Sequence, residues 1–272
     1  MQTLRFKQVD VFTSKPYFGN PVAVVIGAEG LDTEAMQRIA NWTNLSETTF
    51  LLRSTVADYK LRIFTPRYEL PFAGHPTIGS AHAALEAGFV GKKASLRQEC
   101  GAGILDLSLE EENLFVKGPK AAISDVAPIP GFPLASAAKR IDVGPVWVVA
   151  EVKDAKALAE LKPDMAALGR WTETQEATGV TVFAKSDDCV AAIHVRSFAP
   201  AHGVPEDPVC GSGNLSVAAF LQSNSDWRFG QAYVARQGAQ MGRDGRVHVR
   251  ITEDGIRIGG CAVTTVDGTI RL

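Results

Sequence analysis

No stretch of the 272-residue chain approaches the ~20 consecutive apolar residues that a membrane-crossing helix needs. Its first residues, Met1-Gln2-Thr3-Leu4-Arg5-Phe6, show neither the basic region nor the apolar core of a secretory leader, so a cytoplasmic protein is expected. An excess of charge of either sign is also missing. The chain sets 28 Lys and Arg against 30 Asp and Glu, a formal net charge of −2 with a pI near 6.2. No block of about five like charges occurs. Nucleic acid and anionic membrane are therefore poor partners. Cysteine is sparse and scattered: Cys100, Cys189, Cys210 and Cys261 lack both the paired spacing of a zinc site and the density of a disulfide scaffold. Free thiols are expected, and with no metal-ligand or nucleotide motif present, neither a metal nor a cofactor is.

What is present is enough apolar residue, 46% of the chain, to bury one large core or two smaller ones. Internal repetition decides for two. Gly19-Asn20-Pro21-Val22-Ala23-Val24-Val25 is echoed by Gly144-Pro145-Val146-Trp147-Val148-Val149, and each run precedes an acidic, alanine-rich helical stretch, 32–43 and 154–162. Thr48-Thr49-Phe50 matches Thr181-Val182-Phe183, which makes Val180 the counterpart of Glu47. Arg62-Ile63-Phe64-Thr65-Pro66 matches Arg196-Ser197-Phe198-Ala199-Pro200, and each leads to a glycine-led apolar segment. Leu105 to Leu109, with a turn at Glu110-Glu111-Glu112-Asn113, matches Val247 to Ile251, with a turn at Glu253-Asp254-Gly255. Matches that recur in one order point to duplication.

Each half reads as strand, strand, helix, strands, central helix and hairpins. Tyr59, Leu61 and Ile63 alternate with Lys60 and Arg62, the period of a half-buried strand. Asp254-Gly255 and Asp267-Gly268 have the composition of hairpin turns. Segments 76–90 and 212–222 are apolar almost all round, with His82 and Glu86 the only ionisable residues of the first, so both belong inside cores. The expected fold class is α+β: two similar pseudo-symmetric lobes, each a curved, mostly antiparallel sheet or barrel around a buried central helix. The lobes are expected over 1–118 and 119–272, with strand exchange near the ends, and a linker over 118–133 that is rich in proline and lacks periodicity.

The repeat places two glycine-led helix starts in matching positions, Ala73-Gly74-His75-Pro76 and Cys210-Gly211-Ser212-Gly213. Unpaired amides and the positive end of a helix dipole suit a carboxylate or phosphate, and lobes facing each other across a pseudo-two-fold would direct both ends into one cleft. Taken singly, the glycines equally serve tight turns. His75 sits where the helix end favours a neutral imidazole able to relay a proton, although a lone histidine also serves structure. Asp207, next to Pro208, reads as a turn or cap carboxylate or as a group orienting a polar substrate. Glu47, at a strand mouth, reads as a solvated side chain or, having no ionisable counterpart, as the single acid/base of a one-base mechanism. Cys210 stands at a helix N-terminus, where a thiol pKa would fall. Its first-half match, Ala73, cannot move a proton, which excludes two-thiol racemisation and leaves Cys210 as a packing residue or a lone auxiliary acid.

The runs Gln8-Val9-Asp10-Val11-Phe12-Thr13 with Gly19-Asn20-Pro21, Phe64-Thr65-Pro66 with Glu69-Leu70-Pro71-Phe72-Ala73-Gly74-His75-Pro76-Thr77, and Glu206-Asp207-Pro208-Val209-Cys210-Gly211-Ser212-Gly213 closely resemble the PhzF-like, phenazine-biosynthesis isomerase family from end to end. The resemblance implies the diaminopimelate epimerase fold, with the active cleft between two lobes. It implies Glu47 as the proton-shuttling glutamate, with His75, Asp207 and Ser212 as the other catalytic residues. Asn20, Gly74, Cys210 and Gly211 would be substrate-binding. The founding activity is isomerisation of a dihydro-hydroxyanthranilate, and one departure is visible: Cys210 stands where the family usually has threonine. The expected function is thus a cofactor-independent isomerase or epimerase that moves a proton between carbons of a small carboxylated metabolite, with a homodimer as the expected assembly. The competing readings are a catalytically silent small-molecule-binding or protein-interaction module, and a cysteine-assisted epimerase or racemase using Cys210.

Overall fold

A computed structural model describes residues 3–272 and divides the chain into two compact units, Met1–Lys117 with Gly259–Leu272, and Gly118–Ile258. In the first, β1 (Thr3–Val11) and β2 (Asn20–Ile26) are antiparallel, and α1 (Thr33–Thr43) then leads to β3 (Thr48–Leu52), parallel to β2. β4 (Tyr59–Phe64) returns antiparallel to β3 and carries the short β5 (Glu69–Leu70). After α2 (Gly74–Glu86), β6 (Ser95–Cys100) runs parallel to β4, and β7 (Gly103–Glu110) and β8 (Asn113–Lys117) continue as hairpins.

The second unit repeats this plan. β9 (Ala122–Asp125) pairs with β10 (Lys139–Asp142), and β10 with β11 (Val146–Glu151). Helices α3 (Ala155–Glu160) and α4 (Met165–Thr174) lead to β12 (Gly179–Lys185), parallel to β11. β13 (Ile193–Ala199) is antiparallel to β12 and carries β14 (Val204–Asp207). After α5 (Gly211–Ser223), β15 (Ala232–Gln237) runs parallel to β13, and β16 (Gly245–Thr252) is antiparallel to β15. β17 (Gly255–Gly260) carries the chain back to the first unit, where β18 (Ala262–Arg271) lies antiparallel along β1. Each unit therefore contains two parallel pairs in equivalent places, the other pairings described above being antiparallel, and the fold is α+β. Among the described residues no helix is long and apolar enough to cross a membrane.

The central helices are built for burial. α2 touches β1, β2, β3, β4, β8 and β18, so its sheet wraps round it, and α5 touches β10, β11, β12 and β16. Residues from His75 to Ala81 are all buried in α2, and the polar ones are paired inside: Thr77 Oγ1 accepts from Gln98 Nε2 at 3.2 Å, and Ser80 Oγ lies 2.8 Å from Thr49 Oγ1. Gly79 is required by contact, since a Cβ there would stand 2.5 Å from a Val22 methyl. The shorter helices are capped by aspartates, Asp32 to Ala35 N, Asp154 to Ala157 N and Asp164 to Ala167 N, a device worth ~1 kcal/mol each.

Four sequence expectations change. Asp267-Gly268 is no turn: both residues lie within β18, and Asp267 stands opposite Lys7, whose buried Nζ is 2.6 Å from Asp267 Oδ2. Gly268 likewise stands opposite Phe6, so the β1–β18 ladder runs through both residues. The segment 118–133 contains β9, which is exposed along its length and so carries no apolar alternation to betray it. α4 was not anticipated in the second half. Gly259–Leu272 belongs with the first unit, an exchange near the end of the chain. The register also revises the repeat. Phe64 pairs with Thr48 and Phe198 with Val180, so Thr48 corresponds to Val180, Thr49 to Thr181, and Glu47 to Gly179 rather than to Val180.

Candidate active site

Glu47 is placed by the end of α1. Asn44 takes a left-handed conformation, φ 54°, and caps the helix by donating its N–H to Ala40 O. The chain then turns into β3, where Ala23 N of β2 donates to Glu47 O at 3.3 Å. The Glu47 side chain is mostly buried, and burial pushes its carboxyl up to about 7, against a smaller downward effect of a hydrogen bond from Ser46. His75, the second residue of α2, brings Nε2 to 3.2 Å from Glu47 Oε2, a close pair not aligned as a hydrogen bond. A carboxyl poised near neutrality can both accept and return a proton at working pH.

At the same helix start, Thr77 N donates to Ala73 O, and Pro76 has no N–H. First-turn amides have no acceptor of their own within an α-helix. Asn20, buried at the start of β2, stands opposite Val11 in the β1 ladder.

The second unit assembles the remaining candidates round the N-terminus of α5. Asp207 ends β14, and its Oδ1 accepts from Val209 N at 3.0 Å, the Asx turn its place before Pro208 suggests. Cys210 is the N-cap: Sγ accepts from Gly213 N at 3.3 Å and lies 3.5 Å from Ser212 Oγ. Ser212 Oγ accepts from the buried indole Nε1 of Trp147 at 3.0 Å. With Gly213 N bound to Cys210 Sγ and Asn214 N to Cys210 O, the amides of Gly211 and Ser212 lack an intrahelical acceptor. Both helix starts thus present the positive end of a helix, which suits an anionic oxygen.

The expectation of a lowered Cys210 pKa is reversed. Burial, reinforced by the Asp207 charge, holds the thiol well above its ordinary range and outweighs the lowering from Ser212 and Gly213. A thiol that stays protonated is a capping group and a poor base.

Sequence reasoning overlooked Gln237. This buried side chain accepts from Cys210 N at 3.1 Å and Asn214 Nδ2 at 2.9 Å, and donates to Asp207 O at 3.0 Å, tying the loop before α5 to the helix itself. No pattern in the chain marks it, since the partners lie about 25 residues away and are brought together by the parallel crossover to β15. Glu206 of the Glu-Asp-Pro run is bound to Arg196 through both carboxylate oxygens at 2.8 Å, as Glu69 is to Arg62 at 2.7 and 2.6 Å, so the two form matching clamps on the β13–β14 and β4–β5 turns.

Comparison with known proteins identifies the family. The family profile described as "Phenazine biosynthesis-like protein" matches residues 9–268. Antisense-enhancing sequence 1 of Schizosaccharomyces pombe is 37% identical, over 97% of each chain. The trans-2,3-dihydro-3-hydroxyanthranilate isomerase of Pseudomonas aeruginosa is 35% identical, over 96% of this chain and 95% of that protein. A PhzF-family protein of Bacillus anthracis superposes with a TM-score of 0.88 at 29% identity over the whole of both chains. The chain belongs to the phenazine biosynthesis-like, or PhzF, family and is an enzyme of the isomerase class.

Proposed function

We propose that the protein moves a proton between two carbons of a small carboxylated metabolite, without metal or organic cofactor, and that Glu47 is its general acid/base. The observation that carries this reading is the buried Glu47 carboxyl, raised to about 7 beside His75. Glu47 in its ionised form takes a C–H proton made acidic by conjugation to the substrate carboxylate. The charge that develops is carried on substrate oxygen, where helix-start amides and the Ser212 hydroxyl stabilise it, each such donor contributing up to ~3 kcal/mol. The protonated Glu47, whose acid proton exchanges with solvent, then delivers a proton to a second carbon, so the substrate is isomerised with no net gain or loss of protons. His75, 3.2 Å from the carboxyl, is near enough to take part in the proton movement. Asp207 is the remaining catalytic residue and orients the substrate's polar group, and Asn20, Gly74, Cys210 and Gly211 form the substrate-binding set.

The silent-module reading leaves a buried, proton-poised carboxyl without a purpose, and the cysteine-assisted reading is opposed by the raised thiol of Cys210. The reading places the enzyme in the cytoplasm, as a homodimer. Trans-2,3-dihydro-3-hydroxyanthranilate, the compound after which a 35% identical relative is named, is the first substrate to try. The test is incubation in D2O with this compound and a panel of unsaturated and amino-bearing carboxylates, following deuterium wash-in. Incorporation abolished by Glu47→Gln is expected. A protein that washes deuterium into none of them, or a Glu47→Gln variant at the full rate, would overturn the proposal.

A further inference from the structure

The two units differ most sharply at one pair of equivalent positions. In the first, the Glu47 carboxylate meets His75, the second residue of α2. The strand register equates Glu47 with Gly179, and the helix starts equate His75 with Ser212. Gly179 has no room for a side chain, since a Cβ would lie 2.1 Å from the Phe198 carbonyl oxygen and 2.8 Å from Cζ3 of Trp147. Trp147 stands opposite Gly179 in the parallel β11–β12 ladder, and its indole fills the space beside that glycine. Its Nε1 donates to Ser212 Oγ at 3.0 Å. Where one unit pairs a carboxylate with an imidazole, the other pairs an indole N–H with a hydroxyl.

We propose that Trp147 is a positioning residue that fixes the direction of the Ser212 hydroxyl proton. An indole nitrogen is a donor only, whereas a hydroxyl has one proton and two lone pairs. Acceptance from Trp147 occupies a lone pair and forbids Ser212 from aiming its proton at the indole. The other near neighbour, Cys210 Sγ at 3.5 Å, is a weak acceptor that already takes Gly213 N, and its retained thiol proton can be given to the second lone pair of Ser212 Oγ. The hydroxyl proton is thereby presented to the substrate oxygen that gains charge in the reaction. This inference rests on the function proposed above, in which Ser212 meets substrate. It also accounts for the single acid/base: the position that could have held a second carboxylate is taken by a ring that cannot exchange a proton at neutral pH.

Trp147→Phe keeps the ring beside Gly179 and deletes the N–H. With trans-2,3-dihydro-3-hydroxyanthranilate in D2O as the probe, we expect kcat for deuterium wash-in to fall about tenfold, with a smaller change in KM. In the Ser212→Ala background the same substitution should cost nothing further. The chain has four tryptophans, so the indole N–H resonance of Trp147 is assigned by its loss in Trp147→Phe. In Ser212→Ala that resonance should shift and exchange faster with solvent. Equal losses from Trp147→Phe in both backgrounds would assign it to packing alone and overturn the inference. So would an indole resonance that ignores Ser212→Ala, whatever the activity. Glu47→Gln separates the two proposals: if it is inactive while Trp147→Phe works at full rate, only the role of Trp147 falls. If Glu47→Gln works at full rate, the proposed function falls with it.

Discussion

Glu47 Oε2 and His75 Nε2 lie 3.2 Å apart, with their side chains only 15% and 8% exposed. Residues from two separate segments, the end of α1 and the start of α2, thus confine an acid to a place where its charge is poorly solvated. A raised carboxyl pKa is a consequence both for catalysis and for stability.

The folded-state pKa of about 7 lies above the ordinary value of 4.5, so the folded protein holds the Glu47 proton more tightly than the unfolded chain does. Its contribution to stability is present below the unfolded pKa and is lost as pH rises from 4.5 to about 7. Relative to wild type, Glu47→Gln should be equally stable near pH 4 and more stable by up to ~3 kcal/mol above pH 7. Urea midpoints of the two proteins across this range measure the difference. Over the same range kcat/KM of the wild type should rise with pH as the base ionises and level off above about 7. A difference that is flat with pH would show that Glu47 is not desolvated.

The Cys210 sulfur caps α5 while its thiol remains protonated. Cys210→Thr retains an acceptor for Gly213 N and should preserve both fold and most activity. Cys210→Ala removes the cap and should cost ~1 kcal/mol. In the native protein the exposed Cys189 should react with iodoacetamide well before the buried Cys210, which peptide mapping of alkylation time points will read directly.

The two arginine clamps share geometry but differ in burial. Arg196 and Glu206 are 6% and 12% exposed, and Arg196 Nη1 also donates to Leu158 O and Leu161 O. Arg62 and Glu69 are 22% and 37% exposed. Glu206→Gln should therefore destabilise by ~3 kcal/mol, because a buried guanidinium loses its counter-charge. Glu69→Gln should cost under ~1 kcal/mol. Equilibrium urea unfolding with unchanged m values is the measurement. Equal costs would mean that burial is not what separates them.

Much of this protein was legible in its residues. The duplicated Arg-x-Phe runs, the glycine-led apolar helices and the acidic helix starts depend on local spacing, and α1, α2, α3 and α5 lie within a few residues of where the sequence puts them. The family was legible too, because its motifs sit at turns and helix starts where backbone geometry admits few residue types. The register of the repeat was not. Similarity of Phe50 to Phe183 pulls the alignment one residue from the pairing in which Phe64 and Phe198 set the frame, and only the ladders show Glu47 standing in the place of Gly179.

The sequence by itself determined a duplicated α+β chain in which Glu47 and Cys210 each lack a like residue at the equivalent place in the other half. Tertiary structure decided what those two groups can do. A titratable side chain takes its pKa from whatever surrounds it, and those neighbours come from distant segments: burial beside His75 raises Glu47 into the working range, while burial beside Asp207 overrides the helix end that should have activated Cys210. Local sequence specifies the helix dipole. Desolvation, the larger effect at both residues, exists only once the chain has closed round them.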